Sequence, residues 1–146
     1  MNTVLKVSQA ASLAVHTMAL LCVDQTRPLS AKDIAGTLHV SKAHLAKVLQ
    51  RLAREGLVTS IRGPRGGFTL ADSAELAPLM AVWEAIEGRF VDQDCLFETP
   101  LCEEGTCIFG ELVKRINEDL RRYLTNTRIS DVKTTFGGKR EKEKDN

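Results

Sequence analysis

The sequence predicts a mainly α-helical protein with one small β-hairpin, and three observations lead there. Apolar residues recur at helical spacing in five separate segments of the 146-residue chain. A single stretch, Leu57 to Leu70, has strand composition, and it doubles back over a glycine-rich tip. Two of the helical segments are short and adjacent, each opened by a serine and parted by a tight turn. At 43% apolar and 5% aromatic residues the core is aliphatic, and the length bounds it to one compact domain or one domain with an appended arm. No run reaches the roughly 18 apolar residues of a membrane-spanning helix. The best candidate, Ala10 to Val23, is broken by Ser12, His16 and Thr17 and carries no basic leader or small-residue cleavage site. The expectation is a soluble, cytoplasmic protein.

Ser8 to Val23 forms the first helix, with Leu13, Ala14, Met18 and Leu21 at helical spacing and Gln9, Ser12 and His16 on another stripe. A loop with Arg27-Pro28 follows. Ser30 caps the next helix, with Asp33 as a shortened capping-box acid, and Ile34, Ala35 and Leu38 carry it to a turn at His39-Val40. Ser41 starts a helix that runs to Arg54. Its Leu45, Val48, Leu49 and Leu52 share one face, Lys42, His44, Lys47, Arg51 and Arg54 spread over the rest, and Gly56 closes it. Two capped helices joined by such a turn describe a helix-turn-helix, although a plain antiparallel helix pair has the same pattern. A helix fits the major groove of duplex DNA and its first turns reach base edges, so Ser41, Lys42, Ala43, His44 and Lys47 are the candidate readers, with Arg51 further along the same helix.

The next segment supports that assignment. Leu57-Val58-Thr59-Ser60-Ile61-Arg62 and Phe68-Thr69-Leu70 are two short strands around Gly63-Pro64-Arg65-Gly66-Gly67. A hairpin directly after the recognition helix makes the unit a winged helix-turn-helix. Its small tip can enter a narrow groove, and Arg62 and Arg65 supply charge where minor-groove potential is most negative. A generic solvated hairpin is the bland alternative.

Asp72-Ser73-Ala74-Glu75 resembles a second capping box, opening a helix through Leu79, Val82, Trp83 and Ile86 that ends at Gly88, with Pro78 near its first turn. Phe109 to Leu124 is the longest periodic run: Phe109, Leu112, Val113, Ile116, Leu120, Tyr123 and Leu124 line one side, with charges on the other. Such a face exceeds what a lone winged helix needs. A two-fold partner would cover it and would set two recognition helices on successive turns of a palindromic duplex; packing on the protein's own first helix is the alternative. The organisation expected is a DNA-binding domain over 1–90, a cysteine-rich loop over 91–108, a dimerisation region over 109–133 and a disordered charged tail over 134–146.

The net charge of +1 hides an asymmetry. Residues 1–71 hold nine bases and three acids, residues 72–127 five bases and twelve acids. A cationic half beside an anionic half suits a protein with one face on a polyanion.

Of four cysteines, Cys22 stands alone in an apolar helix, where a small buried thiol is usual. Cys95, Cys102 and Cys107 fall within thirteen residues in the pattern C-x6-C-x4-C, on a loop bent by Pro100 and Gly105. Without a secretory context, three clustered thiols suggest a metal site or redox chemistry before a disulfide framework. Zinc and iron–sulfur sites both want four ligands, and unrelated thiols on a mobile loop remain the plain alternative.

Taken together, these residues resemble the Rrf family of dimeric winged-helix transcriptional regulators, typified by IscR and NsrR, over about residues 8–133. The resemblance rests on the leading helix, on the helix-turn-helix, on the wing sequence Val58 to Phe68, on the helix ending Glu84-Ala85-Ile86-Glu87-Gly88, and on the cysteine loop before a long helix. It implies a homodimeric repressor that binds operator DNA, takes no small-molecule substrate and does not associate with membranes. It also implies a [2Fe-2S] or [4Fe-4S] cluster on Cys95, Cys102 and Cys107 that senses oxygen, nitric oxide, redox state or iron–sulfur status. The chain departs from the family in several places. The middle cysteine is displaced by one position, Gly110 stands where some members have a ligating histidine, and Ser12 stands where others have an acid. His16, one turn on, matches a histidine ligand of a related member, and Glu98, Glu103 and Glu104 are local alternatives. Rival expectations are a cluster-free thiol switch or partner-controlled regulator, and a zinc-stapled module that binds protein. Catalysis is not expected, because no thiol has an adjacent base with an orienting partner and no phosphate loop or carboxylate pair occurs.

Overall fold

The computed structural model describes residues 7–136. The chain runs α1 (Gln9–Val23), α2 (Ala31–Leu38), α3 (Lys42–Arg54), β1 (Val58–Ile61), β2 (Gly67–Leu70), α4 (Leu79–Glu87), α5 (Leu112–Asn126) and α6 (Ile129–Val132), with 3-10 turns at Ala74–Leu76 and Lys133–Thr135. This is the mainly helical winged helix-turn-helix that the sequence predicts.

Helix α1 is the axis of the core. Ala11, Leu13, Ala14, Thr17, Met18, Ala19, Leu20, Leu21 and Cys22 are all buried, and α1 packs against α3, α4 and α6. A helix apolar on nearly every side has to be enclosed. Ser8 opens it, its hydroxyl oxygen accepting from Ala11 N–H at 3.0 Å. Ser30 and Ser41 do the same for α2 and α3, accepting from Asp33 N–H at 3.1 Å and His44 N–H at 3.2 Å. Between those helices His39 turns left-handed at φ 55°, a region that histidine tolerates better than most residues, and Val40 N–H closes on Ala35 O at 3.1 Å.

The hairpin pairs β1 and β2 antiparallel with Val58 opposite Leu70 and Ile61 opposite Gly67. A third rung joins it: Leu29 and Phe68 exchange N–H···O bonds of 3.0 and 2.8 Å. The hairpin is thereby fixed to the residue before the α2 cap. A second isolated bridge joins the far end of the chain to the start of α4, through Leu79 N–H to Thr127 O at 2.8 Å and Ile129 N–H to Ala77 O at 3.1 Å.

Three expected boundaries move. The capping box at Asp72 does not open a long helix. Ser73 lies at φ 62° and caps nothing, and Ala77 is extended before Pro78, so only a 3-10 turn forms there and α4 starts at Leu79. The long helix starts at Leu112 rather than Phe109, because Gly110, at φ 57°, closes a turn back to Cys107 O at 2.9 Å. The expected tail does not start at residue 134: Lys133–Thr135 turn once more and Phe136 is buried, its ring 6.0 Å from that of His16 in an edge contact. Residues 137–146 lie outside the described residues. Among those described, no helix is long and apolar enough to cross a membrane.

Candidate nucleic-acid interface and cysteine loop

The inner face of α3, Leu45, Val48, Leu49 and Leu52, is sealed in the core, so the helix must turn its other residues outward. Ser41, Lys42, Ala43 and Lys47 are exposed and His44 is half-buried. On the wing, Arg62 and Arg65 are exposed. Among the described residues none of Lys42, Lys47, Arg62 and Arg65 has a carboxylate partner, so these cations face water unneutralised. The amino terminus of α3 adds the partial positive charge of its unpaired N–H groups. Backbone contact holds the wing at a fixed angle. A Cβ at Gly67, which sits at φ 148°, would collide with the carbonyl of Leu29, so glycine is what lets β2 lie against the residue preceding the helix-turn-helix. Wing and helices form one unit.

Arg51 differs from the other candidate readers. Although exposed, it donates from Nη1 to the carbonyl of Ile86, in the last turn of α4, at 2.9 Å.

The cysteine loop leaves that same turn of α4. Phe90 N–H donates to Glu84 Oε1 at 2.9 Å, and the Phe90 ring lies under the Arg121 guanidinium, 4.8 Å from ring centroid to Cζ. Arg121 also meets Asp92 at 2.8 Å, and Asn117 Nδ2 donates to Gln93 O. Beyond Gln93 the tethers stop. From 91 to 112 every residue is exposed except Cys95, which is half-buried with its sulfur accepting from Phe97 N–H at 3.5 Å. One turn, Thr106 N–H to Glu103 O at 3.0 Å, shapes the stretch between Cys102 and Cys107. Asp92, Asp94, Glu98, Glu103, Glu104 and Glu111 give residues 91–111 six acids and no base.

All four cysteines are free thiols. Cys22 is buried and Cys102 and Cys107 are exposed. Burial pushes the Cys22 thiol above its ordinary 9.0, with Lys133 opposing and Glu75 adding slightly. Soft thiols suit an iron–sulfur cluster or zinc by the chemistry of the donors. Their arrangement is another matter: among the described residues no three His, Cys, Asp or Glu side chains are gathered to hold a metal ion. The structure therefore does not bring His16 into a ligand set with Cys95, Cys102 and Cys107. His16 Nδ1 lies 2.6 Å from Ser12 O on its own helix, and the ring leans on Phe136.

Helix α5 buries only Val113 and Leu124. Leu112 and Tyr123 are exposed and Ile116 and Leu120 half-covered, so most of its apolar face is unpartnered within the chain. Its principal partner is α4, not the first helix. Sequence reasoning missed the Arg51–Ile86 and Arg121–Asp92 ties, because their partners are 35 and 29 residues away and no local pattern marks them.

The likenesses to known proteins agree with this anatomy. The Rrf2 family, described as iron-dependent transcriptional regulators, matches residues 7–135. Protein rrf2 of Nitratidesulfovibrio vulgaris is 33% identical over 102 residues, 66% of this chain and 68% of that protein. The transcriptional repressor NsrR of Streptomyces coelicolor is 25% identical over 130 residues, 88% of each chain. Among solved structures, CymR (YrzC), the global cysteine regulator of B. subtilis, superposes with a TM-score of 0.72 at 25% identity, covering 90% of this chain and 98% of that one. With the match running from the first described residue almost to the last, and through helix-turn-helix, wing, loop and long helix alike, the chain belongs to the Rrf2 family of transcriptional regulators.

Proposed function

We propose that this regulator is a homodimeric repressor that grips operator DNA with the start of α3 and the wing, and whose grip is set by the state of the cysteine loop. The observation that carries the reading is the set of unpaired cations, Lys42, Lys47, Arg62 and Arg65, on a helix-turn-helix and wing bonded into one unit. Ser41, Ala43 and His44 complete the surface offered to the major groove, and Arg62 and Arg65 the one offered to the minor groove or backbone. The open face of α5, with Leu112, Ile116, Leu120 and Tyr123, takes a second copy of the chain. A two-fold dimer then presents two recognition helices to a palindromic site.

In this reading Cys95, Cys102 and Cys107 hold an iron–sulfur cluster, which would supply a redox- and gas-reactive centre. The donor chemistry supports that, and the description of the family as iron-dependent agrees. With Cys102 and Cys107 exposed, Cys95 half-buried and no three ligands gathered among the described residues, the loop has to close for the thiols to act together. The same exposure favours a second reading, in which oxidation of Cys102 or Cys107 itself is the signal.

Oxygen-free purification with iron and sulfide analysis, then titration of a duplex selected from a random-sequence pool, tests the proposal. Iron with matching sulfide, and an affinity that differs by about 5–150-fold between loaded and metal-free protein, is the expected result. Metal-free protein whose DNA affinity changes on thiol oxidation replaces the cluster by the thiol switch. A loop whose loading and oxidation both leave affinity unchanged removes the sensing role altogether.

A further inference from the structure

We infer that Arg51 is a positioning residue that ties the recognition helix to the root of the cysteine loop, and not a phosphate contact. The inference rests on the DNA-binding reading above and deepens it. Ile86 O is among the last carbonyls of α4, which have no partner within the helix and carry the negative end of its dipole. The Arg51 guanidinium meets it at 2.9 Å with a charge-assisted hydrogen bond. The same helical turn is fastened on its other sides. Glu87 accepts from the hydroxyl of Ser8, the cap of α1, and Glu84 accepts from Phe90 N–H.

Residues 88–93 leave this turn and are held at their far end by Arg121 and Asn117 of α5, one residue short of Asp94-Cys95. Helices α1 and α3 and the segment leading to the loop thus meet on a single turn of α4. Closing or opening the cysteine loop pulls on 88–93, and the bonded route from there to α3 runs through Glu84, Ile86 and Arg51. The reverse also holds, since coupling between two sites is reciprocal. Trp83, the chain's single tryptophan, lies on this route with its ring 6.4 Å from that of Phe90.

The test follows Trp83 fluorescence while full-length protein is titrated with a duplex selected by the wild type from a random-sequence pool, at several salt concentrations. Binding to the wild type is expected to shift the Trp83 emission. Arg51→Met is expected to abolish that shift and weaken binding about 5-fold or more, with the salt dependence unchanged. Arg51→Lys, which keeps a donor, is expected to retain the shift. Glu84→Ala, which frees Phe90 N–H without touching α3, is expected to lose it, and it carries the test should Arg51→Met fail to fold. Lys42→Ala serves as the contact control: its salt slope falls by about 1.8, about 0.9 for each copy in the dimer, while its Trp83 shift persists. An Arg51→Met protein whose salt slope falls like that of Lys42→Ala, with the Trp83 shift intact, makes Arg51 a phosphate contact and overturns the inference. A wild type without any Trp83 shift overturns it as well. If Lys42→Ala leaves both affinity and salt slope unchanged, the DNA-binding reading itself fails, a result distinct from either of these.

Discussion

The helix-turn-helix lobe and the cysteine loop are built on opposite principles. Between Gln9 and Leu70 each helix has a serine cap, α1 and α3 bury whole faces, and the wing is bonded to Leu29. Between 91 and 112 only Cys95 is even half-covered, although Leu96, Phe97, Leu101, Ile108 and Phe109 are large and apolar. The lobe draws its structure from its own burial, whereas the loop buries almost nothing. Apolar residues left in water on a segment tethered only at its base fit an element that orders against something else, and a rigid lobe fits an element that must present a fixed surface.

Substitutions at the two places should therefore differ sharply. Leu52→Ala, at 0% exposure in the seam of α3, should cost about 2–5 kcal/mol in urea unfolding. Gly67→Ala comes next. Its Cβ would strike Leu29 O from a left-handed backbone, so a loss of about 1–3 kcal/mol is expected, together with weakened DNA binding as the wing swings away. If Gly67→Ala unfolds like the wild type, the wing is not pinned and the contrast loses half its force. At the far end of the scale, Leu101→Ala, at a site 74% exposed, should change the unfolding free energy by no more than about 0.5 kcal/mol. A large loss there would show that the loop already packs.

Thiol chemistry sharpens the same contrast. Native protein should react rapidly with a thiol reagent at Cys102 and Cys107, more slowly at Cys95, and at Cys22 only after unfolding. The raised pKa of Cys22 has a signed consequence. Its folded form holds the proton more tightly than the unfolded chain does, so its contribution is complete well below pH 9.0 and is lost as pH rises from there through the higher folded value. Cys22→Ala should flatten the alkaline fall in stability seen by thermal melting. An unaltered fall would assign it to other groups.

The lobe was legible in the sequence because its signals are local. Ser30, Ser41, the i, i+3, i+4, i+7 leucine pattern of α3 and the glycine-bearing hairpin each act within a few residues. Ser73 shows where such signals fail: a capping sequence with the right letters lost to a proline five residues later. The cysteine spacing pointed to the loop but not to its openness, since side chains converge through contacts that spacing does not encode. His16 stands as a candidate ligand only through its match to a related regulator, and no local signal shows the Ser12 carbonyl and the Phe136 ring that the structure places beside it. Arg51 was grouped with the cations of its helix, and only the three-dimensional fold shows the carbonyl waiting for it on α4.

In this regulator the exposed cations of the lobe, Lys42, Lys47, Arg62 and Arg65, are the surface expected to meet a duplex. The most direct measurement is the salt dependence of binding, to a duplex selected by the wild type, for the Lys42→Ala, Arg65→Ala and double variants. The slope of log affinity against log salt should shrink by about 1.8 for each substitution, about 0.9 for each of the dimer's two copies, additively in the double variant, with the fold intact by circular dichroism. Unchanged slopes and affinities in all three would contradict the account.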